Sequence, residues 1–298
     1  MASDLYSGFV TLIGRPNVGK STLMNHFIGE KISIISKKPQ TTRNKIFGVL
    51  TKDDYQIIFI DTPGLHTPKN KLGNFMVKSA KSTFFEADAV AYIVEPKSYI
   101  NDENKAIMEG IKSVRSPVFL VINKVDTVKK PELLKIIEMY NNAFNFKEII
   151  PIAAINGENT NALLCAFRSV LPKGPMYFPQ DQITDQPERQ ITAEIIREKA
   201  LIFLQEEIPH GLAVEITAMK SKGNIVEVGA TIFCEREAHK RIIIGAKGEV
   251  LKKIGTAARH DIERLLGNKV YLDLWVKAKK NWRDNDFLLR NFGYHVQK

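Results

Sequence analysis

The chain has 298 residues, 44% hydrophobic and 26% charged, a composition typical of globular proteins with a sizeable core. No apolar run reaches the roughly 20 residues of a membrane span, and the amino terminus lacks the basic and apolar regions of a signal peptide. The net charge of +10 indicates a polyanionic partner, and the length favours two domains. Cys165 and Cys234 are expected to be reduced core thiols of a cytosolic protein.

The first half of the chain alternates short apolar runs with helical patterns. This alternation predicts an α/β domain built on a doubly wound, mostly parallel sheet. The predicted strands are 9–13, 49–50, 55–60, 89–94, 118–122 and 149–152, and the predicted helices are 20–28, 72–84, 102–114, 131–141 and 162–170.

The second half predicts a smaller α+β domain with the order α-β-β-α-α-β. Its predicted elements are helix 191–207, strands 213–219 and 225–235, helices 238–244 and 249–266, and strand 270–277. Four prolines between 172 and 187 indicate a linker. We therefore predict domains at 1–172 and 190–298, joined by a linker at 173–189.

A glycine-rich loop lies between the first predicted strand and the first predicted helix. Gly14-Arg15-Pro16-Asn17-Val18-Gly19-Lys20-Ser21 fits the phosphate-loop pattern Gly-x4-Gly-Lys-Ser, and Thr22 follows it. In such a loop the backbone N–H groups and the helix N-terminus face phosphate oxygens. Lys20 is expected between the β- and γ-phosphates, and the Ser21 hydroxyl on Mg²⁺.

The tetrapeptide Asn123-Lys124-Val125-Asp126 follows predicted strand 118–122 and selects the nucleotide. A carboxylate at Asp126 can accept both the ring N–H and the exocyclic amino group of guanine, which adenine does not offer together. We expect Asn123 to brace the loop and the stem of Lys124 to cover the base. The predicted ligand is therefore GTP.

Two further segments are expected to sense the γ-phosphate. Asp61-Thr62-Pro63-Gly64 ends predicted strand 55–60, so that Asp61 would hold Mg²⁺ through water and the Gly64 N–H would bond the phosphate. In the polar segment 39–43 one threonine should complete the Mg²⁺ shell, and we favour Thr42 over Thr41. The predicted metal site is Ser21, Thr42 and Asp61.

The strings Gly-Arg-Pro-Asn-Val-Gly-Lys-Ser, Thr-Thr-Arg and Asp-Thr-Pro-Gly-Leu resemble the Era group of translation-factor-like GTPases. Leu65 stands where many small GTPases carry a water-orienting glutamine, so slow hydrolysis is expected without a partner. The resemblance permits Asn17 to help hold K⁺, and simple bracing of the loop by Asn17 remains the alternative. It also implies that the Ala154 N–H faces guanine O6, with Ala153 replacing the serine usual in the family. The predicted catalytic residues are Lys20, Thr42, Gly64 and Asn17.

The loop Gly245-Ala246-Lys247-Gly248 joins two predicted helices within the basic stretch 236–280, which has 12 Lys and Arg against 5 Asp and Glu. This arrangement resembles type II KH domains, which clamp about four single-stranded nucleotides beside the loop. Trp275 is expected in the core. The candidate RNA-binding residues are Arg241, Ile244, Gly245, Ala246, Lys247, Gly248, Lys252 and Lys253.

Strings at 193–199, 274–277 and 289–294 extend the resemblance over the whole chain. It implies a monomeric bacterial, cytoplasmic GTPase that binds Mg²⁺ and acts in assembly of the small (30S) ribosomal subunit near the 3′ end of 16S rRNA. GTP is expected to favour the RNA-binding arrangement.

Two alternatives stay open. In a membrane-surface GTPase the basic domain would read anionic lipid, and the resemblance leaves room for peripheral association with the inner membrane. An RNA-modifying enzyme would need a second catalytic constellation, such as a reactive cysteine, and we find none in the sequence.

Overall fold

The computed structural model describes residues 5–36, 38, 40–205 and 208–294. Pro39 of the candidate switch segment and the last two residues of predicted helix 191–207 lie outside these ranges. The chain forms two compact units. The first comprises the residues up to 33 with 42–67 and 76–185, and the second comprises 34–41, 68–75 and the residues from 186 onward.

The first-half elements confirm the predicted alternation of strands and helices. In chain order they are β1 (Tyr6–Ile13), α1 (Lys20–Ile28), β2 (Ile46–Thr51), β3 (Tyr55–Asp61), α2 (Lys71–Ser82), β4 (Ala89–Val94), α3 (Asp102–Ile111), β5 (Val118–Ile122), α4 (Lys130–Ala143), β6 (Glu148–Pro151) and α5 (Thr160–Arg168).

The sheet of the first unit has the order β2-β3-β1-β4-β5-β6, in which only β2 runs antiparallel to its neighbour. The central strands β4 and β5 are apolar and buried throughout, because a core cluster lies on each face of the sheet. The parallel strands all end at the same edge, which is where open α/β sheets bind ligands.

The proline-rich segment that follows α5 is attached to the first unit. The Ser7 N–H donates to the Pro172 carbonyl (3.0 Å), and the Val49 N–H donates to the Ile183 carbonyl (2.8 Å). The Gln56 amide donates to the carbonyl of Phe178 (2.8 Å) and accepts from the Tyr177 N–H (2.8 Å). These bonds run along β1, β2 and β3, so this segment forms part of the first unit.

The second unit contains α6 (Glu188–Phe203), β7 (Ala213–Lys222), β8 (Ile225–Cys234), α7 (Glu237–Ile244), α8 (Glu249–Leu266), β9 (Lys269–Ala278) and the short α9 (Asp286–Asn291). β7 pairs antiparallel with β8, and β8 pairs parallel with β9. Alternate strand residues pack against α6 and α8 in one core cluster. The predicted α-β-β-α-α-β order is confirmed. Over the part of the chain described, no helix is long and apolar enough to cross a membrane.

Two predictions about buried side chains are wrong. Trp275 is 62% exposed, because its neighbours Leu274 and Val276 pack towards the helices and strand alternation turns Trp275 to the other face. The fully buried tryptophan is Trp282, whose indole N–H donates to the Gly211 carbonyl (2.9 Å). Cys165 is exposed on α5, which buries its opposite side, whereas Cys234 is buried as predicted.

Candidate functional site

The phosphate loop connects β1 to α1 and folds around the Lys20 side chain. Gly14 and Gly19 have positive φ values of 147° and 103°. The buried Lys20 ammonium donates to the carbonyls of Gly14 (3.1 Å) and Arg15 (3.0 Å). Burial lowers the pKa of Lys20 to about 8, and the charge of Asp61 acts in the opposite direction. A buried ammonium that donates to two neutral carbonyl groups is suited to an anionic ligand.

The Asp61 carboxylate lies at the end of β3 and accepts hydrogen bonds from three hydroxyl groups. Its Oδ2 accepts from Ser21 Oγ (2.6 Å), Ser33 Oγ (2.8 Å) and Thr42 Oγ1 (3.4 Å). Burial raises the pKa of Asp61, and Lys20 and the three hydroxyls oppose this rise. The other oxygen, Oδ1, is buried and has no hydrogen-bond partner among the described residues.

These groups fit a magnesium ion. Ser21 Oγ and Thr42 Oγ1 lie 3.0 Å apart and both donate to Asp61 Oδ2, while Oδ1 of the same carboxylate has no partner among the described residues. Hydroxyl and carboxylate oxygens are the hard donors that Mg²⁺ takes in combination with water and phosphate. The Thr41 hydroxyl instead donates to the Lys38 carbonyl (2.7 Å), so of the two candidate threonines only Thr42 lies at this cluster.

The segment Asp61–Gly64 lies directly against the phosphate loop. A Cβ atom on Gly64 would lie 2.7 Å from backbone atoms of Pro16, so a larger side chain would push the two loops apart. The Leu65 N–H donates to the Gly14 carbonyl (3.1 Å), and the Leu65 side chain is buried in the core. The Leu65 side chain therefore brings no polar group towards the phosphate loop.

Asn123 ties the phosphate loop to the two loops that end β5 and β6. Its buried side chain donates to the Val18 carbonyl (2.8 Å) and accepts from the Ala154 N–H (2.9 Å). The Ala154 N–H thus satisfies the buried Asn123 carbonyl oxygen, and its bond to guanine O6 stays a prediction. Ala153 is fully buried.

Lys124 and Asp126 occupy the turn after β5. Lys124 has a positive φ of 66°, donates to the Asn17 carbonyl (2.8 Å) and forms an ion pair with Glu95. The Asp126 side chain is exposed at the same edge. The remaining predicted members lie in or next to the phosphate loop and the Asp61–Gly64 segment: Arg15, which pairs with Glu103, and Pro16, Asn17, Val18, Thr22, Thr62 and Pro63.

The glycine-framed loop joins α7 to α8. Gly245, Lys247 and Gly248 all have positive φ values (75°, 50° and 81°), and a Cβ on Gly245 would lie 2.5 Å from Val250 Cγ2. The backbone therefore makes a tight turn that suits glycine. The tip of the loop is exposed to solvent. Ala246, Lys247, Arg241, Lys252 and Lys253 are exposed, and Ile244 is half-buried.

Sequence reasoning missed three polar residues. Ser33 is positioned by Asn25, whose side chain accepts from the Ser33 N–H (3.0 Å), and no local motif marks this contact. Within the second unit, the Glu198 carboxylate accepts from the Ile35 N–H (2.9 Å), and Arg197 donates to the Thr41 carbonyl. Arg197 and Glu198 of α6 are both buried. Charged residues on the apolar face of a helix are rarely buried without a partner, and this pattern in the sequence could have marked them.

A glycine comparison tests how closely Asn123 approaches the phosphate loop. A Cβ on Gly19 would lie 2.1 Å from Asn123 Nδ2, whereas Gly29, also at positive φ, has open space. Gly29→Ala should lower the free energy of unfolding by about 1 kcal/mol through backbone strain alone. Gly19→Ala should lower it by about 3 kcal/mol, because two buried hydrogen bonds of Asn123 are also lost. Urea denaturation of both variants measures the difference, and equal losses would contradict the described packing.

Comparison with known proteins identifies both halves. Residues 9–124 match the family model described as 50S ribosome-binding GTPase, and residues 207–283 match the KH domain model. GTPase Era of Clostridioides difficile (strain 630) is 53% identical over 292 residues, covering 97% of this chain and 98% of the relative. GTPase Era of Clostridium botulinum (strain Alaska E43 / Type E3) is 52% identical over 289 residues, with the same coverage.

Two solved structures of Era agree with the whole fold. One is an Era variant from Aquifex aeolicus bound to GDP and AlF4⁻, with a TM-score of 0.95 and 40% identity. The other is Era in complex with MgGDPNP and nucleotides 1506–1542 of 16S ribosomal RNA, with the same score and identity. Each covers 98% of this chain and is itself covered completely. This chain therefore belongs to the GTPase Era family and is a GTPase with a carboxy-terminal KH domain.

Proposed function

We propose that this chain is a GTP-dependent RNA-binding switch in assembly of the small (30S) ribosomal subunit, acting near the 3′ end of 16S rRNA. The observation that carries the proposal is the presence in one chain of a magnesium-fitting cluster at Asp61 and an exposed glycine-framed loop at 245–248. The similar Era structure that holds both a GTP analogue and a 16S rRNA segment supports it. The proposal places the chain in the bacterial cytoplasm as a monomer.

In the nucleotide site, Mg²⁺ would be held by Ser21, Thr42 and, through water, Asp61. Bound Mg²⁺ would neutralise charge that develops on the phosphate oxygens during hydrolysis. Lys20 would give up its two carbonyl bonds for the β- and γ-phosphates, and the Gly64 N–H would meet the γ-phosphate. The unpaired Asp61 oxygen supports this assignment, since a buried carboxylate is costly without a cation or donor.

Guanine would be read by the exposed carboxylate of Asp126. The hydrogen bonds of Asn123 support the bracing role, because they fix the turn after β5 relative to the phosphate loop. The stem of Lys124 would lie over the base. Its bond to the Asn17 carbonyl holds it towards the phosphate loop, and a K⁺ role for Asn17 stays a proposal.

Hydrolysis would be slow without a partner. The side chain at Leu65 is apolar and buried, so it offers no hydrogen bond to an attacking water. A second group, supplied by an assembly partner or by a rearranged loop, would have to orient that water. A long-lived GTP state suits a timer better than a metabolic hydrolase.

RNA would bind along the loop 245–248 and the neighbouring helix ends. The backbone at Gly245 and Gly248 would approach the phosphate chain, while Lys247, Arg241, Lys252 and Lys253 would supply charge. The half-buried Ile244 would offer an apolar surface to an unstacked base. The basic character of 236–280 supports a polyanionic ligand here.

Nucleotide state would reach RNA binding through the segment 34–41. Arg197 and Glu198 of α6 hold the two ends of this segment, at the Thr41 carbonyl and the Ile35 N–H. The next residue along the chain is Thr42, which contacts Ser21. Movement of Thr42 onto Mg²⁺·GTP would therefore displace backbone that is hydrogen-bonded to α6. The strength of such a switch equals the difference in the affinity of GTP for the two conformations of the chain.

The pKa of Lys20 predicts a pH dependence of GTP binding. Above about pH 8 the Lys20 side chain of the free protein is largely neutral. The negative charge of the bound polyphosphate favours the protonated form, so GTP binding takes up a proton. The affinity for GTP therefore falls up to tenfold per pH unit in this range. Calorimetry in two buffers of different ionisation enthalpy should show almost no proton uptake at about pH 7 and nearly one proton at about pH 9. Absence of uptake at the higher pH would contradict the role of Lys20.

The loop variant Lys247→Glu tests RNA recognition. With a non-hydrolysable GTP analogue bound, its affinity for a fragment of the 16S rRNA 3′ end should fall at least about tenfold, because a positive contact becomes repulsive. Lys135→Glu, the same charge change at an exposed site on α4, is the matched control and should have little effect. Filter binding measures RNA affinity, and vesicles of anionic lipid serve as competitor. Preferential binding to vesicles would overturn the proposal in favour of a membrane-surface GTPase, and an undiminished RNA affinity of Lys247→Glu would contradict the role of the loop 245–248 in RNA binding.

A further inference from the structure

The outward face of the KH-domain sheet carries two exposed aromatic rings. Along β9, Val270, Leu272, Leu274 and Val276 pack towards the helices, so the alternate residues face away from them. Tyr271 is 65% exposed and Trp275 is 62% exposed on this outward face. Strand alternation thus places two large aromatic side chains in solvent, four residues apart on one strand.

Among the described residues, the segment after β9 covers one end of this face. Phe233, at the end of β8, packs against Phe292 (4.8 Å between ring centroids), and Phe292 packs against Trp282 (5.3 Å). These contacts bring the segment after β9 over that end of the sheet. Tyr271 and Trp275 lie further along the same face, where they remain exposed.

Short side chains of the neighbouring strands lie next to the two rings. Parallel pairing places Trp275 opposite Thr231 and Asp273 opposite Gly229, and antiparallel pairing places Ala218 on the far side of Gly229. Thr231 is buried, and a Cβ on Gly229 would lie 3.0 Å from Thr217 Oγ1, so short side chains fill the surface next to the rings. The Trp275 indole N–H donates to Asp273 Oδ2 (2.9 Å), which restrains the orientation of the ring.

The charge along β9 and just after it is mainly positive, whereas the neighbouring strands place Glu227 opposite Tyr271 and Glu215 opposite Thr231 on the same face. Between residues 269 and 280 there are four lysines and a single acidic residue, Asp273. Lys220 and Lys222 of β7 extend the basic character across the sheet, although Lys222 pairs with Glu227 (2.8 Å). Exposed aromatic rings on a strand, bordered by lysines, are the features with which proteins bind single-stranded nucleic acid by stacking its bases.

We propose that this face, which we call the β9 platform (Tyr271, Trp275, Lys269 and Lys277), is a second RNA-binding surface that stacks unpaired bases. It is distinct from the loop 245–248, which joins the two helices α7 and α8 and belongs to the helical side of the domain. The inference rests on RNA binding by the KH domain as proposed above. It adds that the RNA continues beyond the loop and places two non-adjacent bases on the rings.

The two tryptophans of the chain provide a direct readout. Trp275 is exposed and Trp282 is fully buried, so a stacked base should quench only the emission of Trp275. Full-length protein is titrated with oligouridine and with a single-stranded fragment of the 16S rRNA 3′ end. Both should quench wild-type fluorescence, and the remaining emission of Trp275→Phe should not respond.

Affinity measurements complete the test. Tyr271→Ala and Trp275→Ala should each weaken binding of the longer fragment by at least about fivefold, the lower bound of the stacking contribution of one base. Tyr99→Ala, which removes a tyrosine of similar exposure (61%) in the first unit, is the control. Unchanged melting temperatures of the platform variants exclude misfolding, as expected for exposed side chains.

The outcomes separate this inference from the proposed function. Loss of RNA affinity in Lys247→Glu, together with wild-type affinity of the platform variants and no quenching, would overturn the β9 platform alone. Wild-type RNA affinity in all of these variants would overturn both. Quenching by an added ribosomal protein but not by RNA would assign the face to a protein partner and also overturn the inference.

Discussion

A single buried carboxylate organises the nucleotide half of this molecule. Asp61 stands at the end of β3 and accepts hydrogen bonds from hydroxyls on three separate segments: Ser21 of α1, Ser33 of the following loop, and Thr42. Ionised carboxylates are rarely buried without compensation, and its second oxygen has no hydrogen-bond partner in the described part of the chain. This geometry suits a cation beside Asp61 and an anion beside Lys20.

In our proposal, Thr42 and the backbone next to it connect this site to the rest of the chain. Thr42 reaches the Asp61 cluster, and the residue before it is held through its carbonyl by Arg197 of α6. A cation that recruits Thr42 would displace backbone that the second unit restrains. In our proposal the energy of Mg²⁺·GTP binding is spent in part on this displacement, which is how a small change at one site biases a larger element elsewhere.

The phosphate loop and the elements around it were predictable because their signals are local. Glycines and a lysine at fixed spacing, between an apolar strand and a helix, specify the loop Gly14–Ser21 without knowledge of the tertiary fold. Ser33 was not predictable, since it meets Asp61 only through the folded path of the chain and the side chain of Asn25. The same holds for Arg197, whose role depends on which segment packs against α6.

The errors have a physical pattern. Trp275 was assigned to the core because large aromatic residues are usually buried, yet strand alternation decided its side. Cys165 was expected in the core because cysteine is usually buried, yet it lies on the exposed side of α5. In both cases a general preference of the residue type yielded to a specific constraint of the fold. The exposed tryptophan is the error with consequences, because it leads to the β9 platform.

The central claim is that GTP controls RNA binding. The most direct test is the affinity of the full-length chain for a 16S rRNA 3′-end fragment, measured at fixed salt with Mg²⁺ and either a non-hydrolysable GTP analogue or GDP. We expect about tenfold tighter binding with the analogue, equivalent to about 1.4 kcal/mol of coupling between the two sites. Equal affinities in the two nucleotide states would contradict the account.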